Sequence, residues 1–395
     1  METYDNRQNI LEFLSHKKYS SDHLTDIVDS KRYIELKNLH RQKHGLVTEF
    51  SIPFLTVCMN GDRVATFRLS NKSTYPVMIV INEICTALRG YNILVPLLFI
   101  ATKEIPFHQK ILTILVNELK ELEQEGIKWE NGPVTIETTY VYCYTLCLDA
   151  PVKSKILDIP GHSAKKGCPV ANCEGVWVPK GKSGGVVWPS AECGPDRSSE
   201  DCGSLLNTIP AFKGTLFQST SLDSLHGINI GPVKYLVNII FMHSSNAQEK
   251  KLKEQRLKVA DNLLRNISPP AFIERFRLLG TESAHFKAHE WRNFLFFYSM
   301  PIMLELYSTG LIEEDLVNHW FNFVLGVSLL NQEEISPNDI SLATEALTMF
   351  VDSIMALAVA HITSTFCYIC LPKYSIWAHF GQHLCLISSH LTEQY

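Results

Sequence analysis

Between Pro53 and Asp149 the hydrophobic period of the chain keeps switching, and that order restricts the fold more than any other feature. PFLTVC (53–58) and VATFRL (64–69) are short runs of β-branched and aromatic residues. They are separated by Met59-Asn60-Gly61-Asp62-Arg63, and Asn-Gly is a strong hairpin signal. VMIVIN (77–82) reads as a further, fully apolar strand. FHQKILTILVNELKELEQEG (107–126) has apolar residues at 111, 112, 115, 116, 119 and 122, the spacing of an amphipathic helix, with Gly126 as its stop. VTIETTYVYCYTLCLD (134–149) is again strand-like and ends in Asp149. Strands, then a helix, then a strand predict an α/β layer whose sheet begins with a hairpin and continues through a helical crossover.

Around this segment the chain divides by composition. Residues 1–50 form a polar, helix-leaning leader, and 51–157 the first part of the core. Residues 158–222 are dense in Gly, Pro, Ser and Cys, and a loop of that length needs something to tie it down. Residues 223–355 read as helical, and 356–395 form a divergent tail. Ser336-Pro337-Asn338-Asp339 supplies a cap, a proline and an acid at the start of a long apolar helix. The run from Ile354 to Leu371 is the most membrane-like, but its His, Ser and Thr make it a buried helix rather than a span. No membrane partner is expected. The net charge of −5 over 395 residues confines nucleic-acid contact to a local patch. An odd eleven Cys favour reduced thiols over a disulfide framework.

Several residues could carry chemistry. Asp149 follows a strand, where α/β sheets gather ligands and metals, and where a turn or cap aspartate also sits. Cys168 and Cys173 form a C-x4-C pair. A tetrahedral zinc site needs four ligands, and His162, Cys193 and Cys202 are the remaining candidates. Asp223 and His226 stand three residues apart, one helical turn, and suit either a semi-buried site or a helix cap with a core histidine. EKKLKEQRLK (249–258), with Arg265, Arg275 and Arg277 beyond it, is either a solvated face or a phosphate-contact stripe through Lys250, Lys251, Lys253, Arg256 and Lys258. HFKAHEWRNFLFFY (285–298) carries Glu290 into a basic and aromatic neighbourhood. Taken alone it is an amphipathic helix with an acid in its first turns, where the helix dipole favours negative charge.

In order, these segments resemble the transposase of CACTA-type DNA transposons, in the degenerate form common in animal genomes. LTDIVDSKRYIEL (24–36) is similar to the family's leader. TVCMNGDRVATF (56–67) matches the strand with an Asp-Gly at the first acid. LDAPVKSKILDI with the Gly-Cys segment at 167–173 resembles the second-acid strand and its cysteine-bearing insertion. SLDSLHGINIGPVKYL matches an Asp-x-x-His motif, and HFKAHEWRNFLFFYSMPIM the Lys-Ala-x-Glu-Trp/Phe-Arg block with the third acid. The resemblance covers roughly residues 20 to 350. It implies an RNase H-like mixed-sheet core with a large, mostly helical insertion and a helical C-terminal region. It also implies an Asp-Asp-Glu site in which Asp149 and Glu290 hold Mg²⁺ or Mn²⁺ for in-line attack on DNA phosphodiesters, with Asp223 and His226 in support. His285, Lys287 and Arg292 would face phosphates. DNA would be the partner and the nucleus the location.

The sequence departs from the family at the first acid, which aligns with Asn60. A neutral amide in place of a carboxylate between divalent cations weakens metal binding. Asp62, two residues on, would share a strand face with Asn60 and is the rescue candidate. The family's N-terminal DNA-binding region would lie before residue 1, and past about residue 355 the resemblance ends. The expected function is a transposon-derived protein with an inactive strand-transfer core. The rivals are an active Mg²⁺-dependent transposase using Asp62 and a domesticated, non-enzymatic nuclear module that binds DNA or protein.

Overall fold

The structure is a computed structural model that describes Ile10 and residues 23–45, 54–61, 73–101, 109–130 and 136–361, apart from 162–163, 168–171, 173, 181–182, 188–196, 218, 223–224, 243, 245, 272 and 274. The fold is mixed α/β. β1 (Phe54–Gly61), β2 (Ser73–Ile81) and β3 (Leu94–Ala101) run antiparallel in turn. β4 (Ile127–Glu130) pairs antiparallel with the start of β5 (Ile136–Leu148), and β5 runs parallel to β1. β6 (Val176–Lys180) and β7 (Ser183–Val187) form a separate hairpin. β8 (Thr220–Leu222) returns to the main sheet, parallel to β5.

Asn60-Gly61 is not a turn. Both residues lie in β1, opposite Met78 and Val77 of β2. The predicted strand at 64–69 lies outside the described residues. The expected strand at 77–82 falls on the second half of β2, and the strand-like stretch at 134–149 holds one long strand, β5. β3, β4 and β8 go beyond the sequence reading. Pro96 interrupts the strand pattern of β3, and it is tolerated because β3 is an outer strand of the sheet.

Two helices cover the sheet. α1 (Lys31–His44) buries Tyr33, Leu36 and His40, and α2 (Gln109–Gln124) buries Leu112, Leu115, Val116 and Leu119 against β5. Gly126 ends α2 with φ 70°, and a Cβ there would meet Thr138 Cγ2 at 2.8 Å. α3 (Ala150–Leu157) begins directly after β5. Beyond β8 the chain is helical: a π-helical stretch at Leu225–Val233, then α4 (Ala247–Asn266), α5 (Ala288–Asn293), α6 (Ser299–Ser308), α7 (Glu314–Leu329) and α8 (Pro337–His361). Their apolar faces close on Trp291, Phe294, Trp320, Phe323 and Phe350. The expected cap of α8 is present, with Ser336 Oγ on Asp339 Oδ2 at 2.6 Å and the Asp339 N–H on Ser336 Oγ at 3.1 Å. Among the described residues no helix is long and apolar enough to cross a membrane.

Candidate functional site

The parallel strands β1, β5 and β8 bring their carboxyl ends together. Asn60 lies opposite Cys147, Gly61 opposite Leu148, and Leu148 opposite Leu222. One residue further along β5 is Asp149, and one further along β8 is Asp223. Asp149 is half-buried, and its Oδ1 accepts the Val152 N–H at 2.7 Å, capping α3. The Asp-Ala-Pro sequence builds this start, because proline in the first turn loses no hydrogen bond. Asn60 Oδ1 is buried with no hydrogen-bond partner among the described residues. An orphaned buried acceptor is uncommon in a native fold and marks this edge of the sheet. Lys153, one turn into α3, is buried and donates from Nζ to the Thr220 carbonyl, so a protein cation sits at the start of β8. Asp223 and the side chain of His226 lie outside the described residues, and with them the expectation that both turn toward the cleft.

Glu290 is at the start of α5, where Ala288 and Trp291 turn inward and leave it half-buried. Arg277 grips it with a two-pronged contact, Nε to Oε1 at 2.7 Å and Nη2 to Oε2 at 2.8 Å. The Lys287 N–H also donates to Oε2, at 2.7 Å. Burial alone would raise the pKa of this carboxyl, but the Arg277 and Lys287 hydrogen bonds and the Arg277 charge outweigh it and hold the pKa below the usual range. Arg277 is fixed in turn by Glu282 at 3.3 Å, by the His285 carbonyl at 3.0 Å and by the Phe286 ring, 5.0 Å from its guanidinium carbon. α5 packs on Leu225–Val233, the stretch reached from β8. The helical location of Glu290 agrees with the sequence. Its partner does not: the cation on it is Arg277, thirteen residues earlier, and the intervening chain is broken into short helical turns, Leu279–Glu282 and Ser283–His285, before α5 begins. No local spacing signals such a pair.

The remaining candidates separate. Lys287 and His285 are exposed, while Arg292 is partly buried over Phe296 at 5.8 Å. Desolvation lowers the Arg292 pKa. On α4, Lys250, Lys251 and Lys258 are exposed. Lys253 and Arg256 leave the predicted stripe. Lys253 is buried on Glu249 at 2.8 Å, and Arg256 donates to the carbonyls of Leu311 at 2.9 Å and Ile240 at 3.3 Å. Both sit on the face of α4 that closes on the helical core, where a cation needs an internal partner. Cys168, Cys173, His162 and Cys193 lie outside the described residues. Cys202 accepts a hydrogen bond from Asn207 Nδ2 at 3.2 Å. Among the described residues no group of three or more His, Cys, Asp or Glu is arranged to hold a metal ion.

Comparison of the chain with protein-family models and with curated proteins finds no match in either.

The donors do not fit a pair of Mg²⁺ ions. Mg²⁺ demands oxygen ligands in near-octahedral array and is held chiefly by carboxylates. The positions that the sequence resemblance assigns to a triad offer a neutral amide at Asn60, a helix-capping carboxylate at Asp149 and a carboxylate at Glu290 with both oxygens on one guanidinium. A bidentate Arg–carboxylate pair is among the stronger polar contacts, and a metal would have to displace it.

Proposed function

We propose that this chain is a transposon-derived nuclear protein that keeps the core of a DNA strand-transfer enzyme and contacts DNA without cutting it. The observation that carries the reading is the Arg277–Glu290 clamp, which gives the third acid an internal cation in place of a metal. The strand order β3-β2-β1-β5-β4, antiparallel at β3-β2-β1 and parallel at β1-β5, with β8 added parallel to the end of β5, supports the RNase H-like reading of the core. Asn60 and Asp149 at adjacent parallel strand ends support the pseudo-active-site reading.

The DNA contact falls to the exposed lysines Lys250, Lys251, Lys258 and Lys287. Cys168 and Cys173 belong to a zinc knuckle in this reading, and elemental analysis of protein purified without chelator checks it. Zinc at one atom per chain is expected, and none removes that part of the proposal.

The function is tested by duplex DNA binding across a salt series and by a cleavage assay in Mg²⁺ and Mn²⁺. Binding should weaken with log salt in proportion to the phosphates contacted. Cleavage should be absent. Cleavage that disappears in Asp62→Ala would make Asp62 the first acid and the protein an active enzyme. Salt-insensitive behaviour with no DNA affinity would make it a protein-interaction module.

A further inference from the structure

We propose that the β6–β7 hairpin is a contact for single-stranded DNA, with the Trp177 indole stacking on an unpaired base and neighbouring lysines meeting the phosphates. The inference rests on the DNA-contacting reading above and names the element that would hold a frayed or displaced strand. Trp177 is 55% exposed, although it pairs in register with Val186, which is buried. The ladder is thus anchored on one strand while a large aromatic ring on the other faces water. An indole offers a flat, sequence-tolerant surface that any base can stack on.

The segment that carries it has a charge complementary to phosphate. From Gly161 to Val187 the chain has four lysines (Lys165, Lys166, Lys180 and Lys182) against the single acid Glu174, a balance of +3 in a chain of −5. Lys180 closes the hairpin ladder opposite Ser183. Lys165 and Lys166 are exposed, and their backbone is tied to the hairpin base. The Gly175 N–H, directly before β6, donates to the Lys165 carbonyl at 2.6 Å. Arg197, itself buried, donates from Nη2 to the Lys166 carbonyl at 2.6 Å. The backbone of the lysine pair is therefore tied to the segment that leads into β6. An aromatic platform in a basic stretch of chain is the combination by which proteins track an unpaired strand.

The test is binding of a labelled oligothymidylate and of a duplex to the full chain, by fluorescence anisotropy. Trp177→Ala should weaken oligothymidylate binding about ten-fold and leave duplex binding unchanged, while Trp177→Phe retains most of the affinity. Changing Lys165 and Lys166 together to Ala should flatten the salt dependence by about 0.7 in slope for each phosphate that is no longer neutralised. Trp177→Leu carries the same comparison if the alanine variant does not fold. If oligothymidylate binding is unaffected by Trp177→Ala or Trp177→Leu while the duplex still binds, the hairpin inference is overturned and the DNA-contacting reading stands. Equal losses on duplex and single strand overturn stacking. No affinity for either DNA overturns both.

Discussion

Glu83 shows how one residue can set a pH dependence in this fold. It sits in the turn after β2, fully buried, and both its oxygens accept the Thr56 N–H, at 3.0 and 2.9 Å. Oε1 also accepts the Thr56 hydroxyl at 2.8 Å, and Asn82 Nδ2 donates to that hydroxyl at 2.9 Å. Burial pushes the carboxyl up to about 7 from an ordinary 4.5, and the Thr56 bonds and the Arg89 charge offset only part of that. A carboxyl whose folded pKa is raised favours the folded state while it stays protonated. Below 4.5 both states hold the proton; between 4.5 and about 7 only the folded state holds it, so this group's contribution falls as pH rises through that window. The full effect is on the order of 3 kcal/mol. Chemical denaturation at stepped pH should show the decline, and Glu83→Gln should flatten it. A slope unchanged in the variant would assign the decline to other groups.

Elements are legible in the sequence where local pattern and tertiary role agree. The 3.6-residue spacing of α2, the Gly126 stop and the Ser336–Asp339 cap all appear where the residues place them. Asn60-Gly61 misleads because a hairpin dipeptide is also compatible with strand backbone, and tertiary pairing with β2 and β5 decides the matter. β8 has only three residues and is a strand because β5 offers it an edge, a fact that no local period encodes. The same holds at the site. Asp149 and Glu290 are legible as acids at the start of helices, whereas the Arg277 clamp and buried Lys153 depend on chain contacts that spacing cannot reveal.

The α7–α8 crossing gives an element-scale prediction. A Cβ on Gly326 would stand 2.4 Å from Leu347 Cγ, so these helices meet at van der Waals contact through the missing side chain. His319 and Phe323 both stack on Phe350 nearby, each with ring centroids 4.5 Å from it, which fixes the helix pair beside this contact. Leu347 is buried and cannot swing into solvent. Gly326→Ala should therefore destabilise by about 1–3 kcal/mol through overpacking, outweighing alanine's better helix propensity. The expected signature is a lower denaturant midpoint with an unchanged slope. A stabilised variant would mean that the helices separate freely at this point.

At the scale of the whole molecule, the residues of the proposed site divide between two hydrophobic cores. Asn60 and Asp149 belong to the sheet, whose core joins α1, α2 and α3, while Arg277 and Glu290 belong to the helical part and its own core. The link is β8, which leads into Leu225–Val233, the stretch on which α5 packs. On the proposed reading, a metal site here requires a change on each side: a carboxylate on the sheet and release of Glu290 on the helices. Asn60→Asp adds an anionic oxygen where a buried amide oxygen has no partner among the described residues. Alone it should raise Mn²⁺ affinity only weakly, because both oxygens of Glu290 stay on Arg277. Arg277→Gln alone frees Glu290 but leaves the neutral amide at Asn60. Together they should raise the affinity by more than the product of the single effects, at least about ten-fold beyond it, or 1.4 kcal/mol of coupling. Calorimetric titration with Mn²⁺ of the parent chain, both single variants and the double variant measures that coupling. Additive effects would mean that Asp149 and Glu290 serve different sites. Tight binding by the parent chain would show that the clamp yields to metal and that the inactive reading is wrong.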